Sequence, residues 1–445
     1  MTLGAFVADS TPPAAARAAA ARALLDTVGV TLAGAAEPAA RIVQRTVEQD
    51  GDGPCRVLGT PLRSSAGNAA LANGTAAHAL DYDDMCFVSL AHPSAPLVAA
   101  ALAAGELAGA SGRALLDAYV VGFELEGRLG RAMNPRHYQR GWHCTSTLGT
   151  IGAAAAVARL LRLDATATGH ALAIAASEAS GLKENFGTMV KPLHAGLAAR
   201  NGVVAAQLAL NGMTASSAAI AGPQGFLAAM DSQQTSLDAF TADLGTRWEI
   251  LDTGITVKLY PSCAGTHPTL DALLDLKRRE GFSADEVEAI EVGVDPIVPT
   301  ILIYDRPASG LEGKFSLPFC AAAAVVRGRV GIETFDLTQL NDPAILALQS
   351  RVTMRVDSEL DASAPPLTQA RVTVRLRDGR VLTASANGAR GYPERPASDE
   401  ELATKFTSCA MQTLSASQSA DALEALGQIE SIGNVRALTA RFVTP

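Results

Sequence analysis

The stretch ARVTVRLRDGRVLTA, Ala370–Ala384, decides how this chain is built. Val372, Val374 and Leu376 alternate with polar residues, Asp378-Gly379 marks a turn, and Val381–Ala384 resumes in β-branched and apolar residues. Alternation with period two around Asp-Gly predicts a β-hairpin. Upstream, Val287–Val294 (VEAIEVGV) and Arg351–Val356 (RVTMRV) carry the same strand texture. Residues 255–390 therefore read as an α+β unit, set inside a chain that is otherwise helical.

The helical signals lie on both sides. Thr11-Pro12-Pro13 is expected to open a helix running to Leu32, with Thr11 as its N-cap. Ser94–Leu107, Leu115–Met133, Ser146–Leu161, Ala165–Ser180 and Leu193–Leu210 read as further Ala/Leu-rich helices. After the strands, Ser398-Asp399-Glu400-Glu401 is a capping box in front of Leu402–Leu414, and Ala420–Leu426 reads as a last helix. The fold class expected is mainly α with a smaller α+β domain. Residues 1–254 and 391–445, the two chain ends, would form the helical domain, and 255–390 the inserted one.

Composition narrows the function. The chain has 445 residues, 48% of them hydrophobic, which suggests two domains. Aromatic residues make up only 4%, so the core must be built of Ala, Leu, Val and Ile, and small side chains let helices pack closely. The formal net charge is −9 and no Lys/Arg run is present, which disfavours nucleic acid as a partner. No apolar run approaches ~20 residues without a charge or turn signal, so no membrane span is expected. The N-terminus lacks the pattern of a secretory signal, and a cytoplasmic location is expected. Six cysteines show no C-x-x-C spacing, which fits buried thiols better than a metal or redox site.

Four polar islands interrupt this apolar chain. The first is HALDYDDMCFVSLAHP, His78–Pro93, with Asp81, Asp83 and Asp84 crowded together and His92 downstream. Three carboxylates so close repel unless a cation neutralises them or their pKa values separate. A solvated turn, a Mg²⁺ cluster and an oriented acid/base cluster are all open readings. The second island, Gly141–Ser146 (GWHCTS), puts His143 before an Ala-rich helix that Thr145 or Ser146 could cap. The third, TMVKPLH, places Lys191 and His194 three apart at a helix start. A lysine there opposes the helix dipole unless an anion shares the site. The fourth, VKLYPSCAGTHP, holds Lys258, Tyr260, Cys263 and His267 where helical texture gives way to strand. Each island could also be ordinary solvated loop.

No Walker A, dinucleotide fingerprint, G-x-S-x-G or H-E-x-x-H is present. An inventory of Asp, His, Lys and Tyr suits proton transfer next to carboxylates. In this order the islands resemble the MmgE/PrpD family, which includes 2-methylcitrate dehydratase, cis-aconitate decarboxylase and iminodisuccinate epimerase. The matching pieces are HALDYDD with His92-Pro93-Ser94, GWHCTSTLGTIGAAAA, KPLHAGLAARNG, VKLYPSCAGTHP, and Ile303-Tyr304-Asp305-Arg306-Pro307 with Lys314-Phe315-Ser316. Together with the flanking helices they place the resemblance over about residues 10 to 440. Each alone is weak; together they are specific for the family but not for one reaction.

The resemblance implies a helical domain with an α+β lid, a homodimer, and an interdomain pocket for a small di- or tricarboxylate. It implies neither metal nor organic cofactor. Carried over by motif position, His92, His143, Lys191, Lys258 and Tyr304 would be catalytic. Asp81, His194, Tyr260, Cys263 and His267 would hold or orient the substrate. Relative to the family's decarboxylase, Met85 replaces a threonine, Cys263 replaces a histidine, and one residue is inserted between Asp81 and His92. These departures make decarboxylation less expected and lean slightly towards the epimerase, whereas the family's members lean towards the lyase; the leading expectation is a hydro-lyase of the 2-methylcitrate dehydratase type. An epimerase of an iminodisuccinate-like compound and a cis-aconitate-type decarboxylase are the alternatives. A Mg²⁺-dependent diphosphate enzyme and a non-catalytic carboxylate binder are readings from other classes.

Overall fold

The computed structural model describes residues 2–230, 232 and 241–444. Its contacts divide the chain into two compact units. The larger comprises Met1–Glu184, Val190–Val257 and Ser398–Pro445, so both chain ends meet in it. The smaller comprises Lys258–Ala397 with a short segment, Asn185–Met189, taken from the middle of the helical sequence.

The larger unit is a bundle of helices. Its main members are Ala14–Gly34, Ala66–His78, Ser94–Ala108, Gly112–Met133, Cys144–Leu160, Ala165–Glu178, Val190–Leu210 and Asp399–Ala410. Ser111 and Asp164 cap two of them, and Ser398 with Glu401 forms the expected capping box. Small residues set the packing distance. A Cβ added to Gly74 would lie 2.9 Å from Gly196 Cα, and one added to Gly196 would lie 2.2 Å from Thr75 Oγ1. Helices Ala66–His78 and Val190–Leu210 thus touch almost backbone to backbone. That contact brings His78, the last residue of one, to Lys191, in the first turn of the other.

Two expected caps are not used. The first long helix begins at Ala14 after Pro13, which caps without a side-chain bond, rather than at Thr11. Pro13 forces Pro12 out of the helical region, so the helix cannot start earlier. Thr145 and Ser146 lie inside helix Cys144–Leu160, with His143 at its N-cap. Their hydroxyls serve neighbours instead: Thr145 accepts from the His92 N–H, and Ser146 donates to the His194 carbonyl. Helix Val190–Leu210 also starts three residues before Leu193.

The smaller unit is built on one four-stranded sheet. Its strands, numbered after a two-residue pair β1 (Cys55–Arg56) and β2 (Arg63–Ser64) in the larger unit, are β3 (Val287–Val294), β4 (Val352–Val356), β5 (Gln369–Leu376) and β6 (Val381–Asn387). Their order is β4-β3-β5-β6, with β3 and β4 parallel and the other pairs antiparallel. The β5–β6 hairpin turns at Gly379, whose φ of +92° suits glycine. Ala370, Val372, Val374 and Leu376 on β5 are buried, while β6 buries none of its residues. Helices His267–Glu280 and Leu317–Arg327 pack against the sheet. All six cysteines are buried and none forms a disulfide. No single helix among the described residues is long and apolar enough to cross a membrane.

Candidate active site

The loop between helices Ala66–His78 and Ser94–Ala108 carries the aspartate cluster. It is not a solvated turn: Asp81 is 4% exposed, and Asp83 and Asp84 are fully buried. Two of its residues, Asp81 and Leu90, have positive φ (+51° and +48°), a conformation that non-glycine residues hold only when their surroundings fix it. The three carboxylates are separated by giving each a different partner. Asp81 Oδ1 accepts from Lys191 Nζ at 2.7 Å. Asp83 Oδ2 meets His78 Nδ1 at 2.8 Å and His92 Nδ1 at 3.3 Å. Asp84 accepts from the Ser94 hydroxyl and, at 3.2 Å, from the Ser94 N–H. The Ser94 hydroxyl in turn lies 2.5 Å from Tyr119 OH.

These partners drive the carboxyl groups apart in acidity. Burial works to raise Asp83, but the adjoining His78 and His92 hold it well below the usual carboxylate range. Asp84 has only neutral hydrogen-bond partners, and burial pushes it up to about 8. One carboxylate is therefore kept as an anion and its sequence neighbour as an acid.

The histidines follow from the same network. Burial lowers His78 to about 4, so its ring is neutral near pH 7. Lys191 Nζ lies 2.8 Å from His78 Nε2, and an ammonium can only donate. The hydrogen-bond pattern thus assigns the His78 proton to Nδ1, facing Asp83. The His92 ring stands edge-on to that of His78, with centroids 4.5 Å apart. Its Nε2 lies 3.6 Å from Asp81 Oδ1, and at 8% exposure it is the most accessible imidazole of the group. His143 stacks near His78 at 5.6 Å, and its Nδ1 lies 3.0 Å from His194 Nδ1. Burial lowers His143 well below, and His194 to about 4. Two neutral imidazoles facing through Nδ1 must share one proton between those atoms.

Asp81, His92, His143, Lys191 and His194 are thus brought together in the larger unit. The sequence reading did not single out His78, the hinge of the cluster. It closes an Ala-rich helix, and its place at the head of the Asp-rich loop is the available signal. Ligand atoms of His78, Asp81, Asp83 and His92 lie within 4.8 Å of one another, a donor set that could take a divalent cation. The Lys191 ammonium already binds two of those residues, so a metal ion would have to displace it.

The other expected site residues lie in the smaller unit. Lys258 is fully buried, and its Nζ donates to the Ser262 carbonyl at 3.1 Å. His267 Nε2 lies 3.1 Å from the same oxygen, and Cys263 is buried beside it in sequence. Lys314, quoted in the motif but not chosen, donates to the Pro261 carbonyl at 2.9 Å. Tyr260 is turned elsewhere. Its hydroxyl bonds Asp271 at 2.5 Å, and it lines a cavity of about 630 Å³ with Asp271, Arg390 and Arg395. Tyr304 OH donates to the Phe186 carbonyl at 3.0 Å, in the segment just before Lys191.

Comparison with known proteins meets this geometry at the level of the family. The MmgE/PrpD N-terminal domain matches residues 3–237 and the MmgE/PrpD C-terminal domain matches residues 260–429. The chain belongs to the MmgE/PrpD family. Like other MmgE/PrpD proteins, it is an enzyme. Among its relatives is the cis-aconitate decarboxylase of Mus musculus, 28% identical, with 94% of this chain and 87% of that protein covered. The cis-aconitate decarboxylase of Homo sapiens is 27% identical, with coverages of 95% and 89%. A cis-aconitate decarboxylase-like protein of Aspergillus oryzae is 28% identical, with coverages of 88% and 85%.

Proposed function

We propose that this MmgE/PrpD protein is an acid/base lyase that breaks a bond next to a carboxylate of a small di- or tricarboxylate. The observation that carries the reading is the buried Lys191–Asp81/His78–Asp83–His92 network. It couples a fixed ammonium to neutral and carboxylate-flanked imidazoles within hydrogen-bond reach. In elimination, His92 takes the proton α to a carboxylate, and the C–H electrons form the new double bond. Lys191 holds the carboxylate on which negative charge gathers, the neutral His143 hydrogen-bonds the departing hydroxyl, and that hydroxide takes its proton from the His92 imidazolium formed in the first step. Asp81 and Asp83 orient His92 and stabilise its imidazolium, while His78 holds Lys191 in place.

Water elimination of the 2-methylcitrate type is the first reading. Decarboxylation is the second, favoured by the names of the relatives. There the C–CO₂ electrons pass to carbon, and a His92 that starts as imidazolium between Asp81 and Asp83 delivers a proton to it. Met85 and Cys263, where the family's decarboxylase has polar side chains, weigh against it. Inversion at the α-carbon of an amino-dicarboxylate is the alternative if protonation comes from the opposite face. A homodimer working in the cytoplasm completes the proposal.

The test is a proton NMR assay in D₂O with 2-methylcitrate, citrate, cis-aconitate and iminodisuccinate isomers, with chelator and with added Mg²⁺ or Mn²⁺. Alkene formation supports dehydration, and loss of CO₂ supports decarboxylation. Deuterium uptake with inversion supports epimerisation. Turnover that vanishes with chelator and returns with metal would overturn the metal-free step in favour of the His/Asp cluster as a cation site.

A further inference from the structure

We infer that Lys405, on helix Asp399–Ala410, is a positioning residue that holds the loop bearing Asp81, Asp83 and His92 in its working conformation. The inference rests on the acid/base reading of that loop.

Lys405 lies 323 residues after Tyr82, yet its Nζ donates to the Tyr82 carbonyl at 2.8 Å and sits 4.1 Å from the centre of the Tyr82 ring. The same Nζ pairs with Asp26 Oδ1 at 2.7 Å, on helix Ala14–Gly34. The two side chains are 3% and 0% exposed. A buried ion pair is a poor way to fasten two helices, because desolvation cancels most of the Coulomb gain and apolar residues would serve as well. Apolar residues cannot bind a backbone carbonyl. The carbonyl chosen belongs to the peptide joining Tyr82 to Asp83, next to Asp81 with its φ of +51°. Asp81 must meet Lys191, and Asp83 must meet His78 and His92, from either side of Tyr82. Rotating that peptide would break both contacts, and Lys405 prevents the rotation. Asp26 supplies the carboxyl partner for the lysine buried there, and Lys405 works against the rise that burial gives that carboxyl.

The test reads loop geometry without any substrate. In the full-length protein labelled with ¹⁵N in histidine, the imidazole resonances of His78 and His92 are recorded for wild type, Lys405→Met, Lys405→Arg and the charge-free double variant Asp26→Asn/Lys405→Met. Arg441→Ala, which removes an exposed ion pair with Asp421 in the same unit, is the control. Both Met variants are expected to shift the His78 and His92 signals, and Arg441→Ala to leave them alone. With a substrate in hand, Lys405→Met should lower kcat ~10–100-fold with KM changed far less, and Lys405→Arg should recover part of it. If Lys405→Met unfolds, the double variant, which leaves no unpaired buried charge, carries the test. A folded variant with wild-type histidine spectra overturns the inference, as does an equal shift in the control. Shifted spectra in a protein that turns over no carboxylate would leave Lys405 as a loop clamp and refute the acid/base reading instead.

Discussion

Lys191 and His78 illustrate how single side chains acquire a task from their neighbours. Lys191 donates to both Asp81 and His78, so its ammonium is held in a defined orientation. Lys191→Ala and His92→Ala should each lower kcat by at least ~10²-fold, the usual scale of a lost acid, base or charge-stabilising group. Steady-state rates on the identified carboxylate check this, and near-normal turnover in both would refute the assignment. His78→Ala should lower kcat by about 10-fold or more, because Lys191 and Asp83 each lose the ring that joins them. A circular dichroism melt run beside the kinetics separates that effect from unfolding.

The site depends on how two helices meet. His78 ends helix Ala66–His78 and Lys191 begins Val190–Leu210, and they touch because Gly74 and Gly196 let the backbones approach. Gly196→Ala places a methyl on Thr75 and the Leu71 carbonyl, at distances no packed atoms adopt. Overpacking of this kind costs about 1–3 kcal/mol. We expect a lower melting temperature together with a fall in kcat, since spreading the helices separates Lys191 from His78. A variant with unchanged kcat and an unchanged melt would show that the crossing does not set the site.

Buried acids and thiols make the stability of the whole molecule sensitive to alkali. Burial raises Asp84 to about 8 and lifts Glu126 well above its ordinary range. In the unfolded chain Asp84 has lost its proton by pH 6, while the folded protein still holds it; Glu126 is shifted in the same direction. Stability therefore falls as pH rises towards 8, by up to about 1.4 kcal/mol per pH unit for each such group. His78, His137 and His194, lowered to about 4 by burial, act the other way between pH 4 and 6.5 and are silent above it. Buried Cys55, Cys86, Cys144 and Cys409, raised to about 12, extend the loss above pH 9. Urea melts at pH 6.5, 7.25 and 8 should show the decline, and Asp84→Asn should flatten it. A wild-type protein equally stable across that range would contradict the assignment of Asp84 as a buried acid.

Much of this protein could be read along the chain because the governing signals are local. The Asp378-Gly379 hairpin, strand Val287–Val294, the Ser398–Glu401 capping box and the helical ends depend on residues a few positions apart. Family membership was legible for the same reason, as short motifs in a fixed order. The motifs also named most of the residues that cluster around Lys191. What they could not supply was the pairing. Which aspartate is kept as an anion and which as an acid depends on what each meets across space: His78 and His92 for Asp83, and for Asp84 Ser94, whose hydroxyl also meets Tyr119. Tyr260 turned to Asp271, and Tyr304 turned to Phe186, were undecided for the same reason. The sequence by itself determined the elements and the inventory of chemistry. Only the tertiary structure decided the charges and roles, because desolvation and partner distance set a side chain's protonation, and neither exists until helices far apart in sequence have packed.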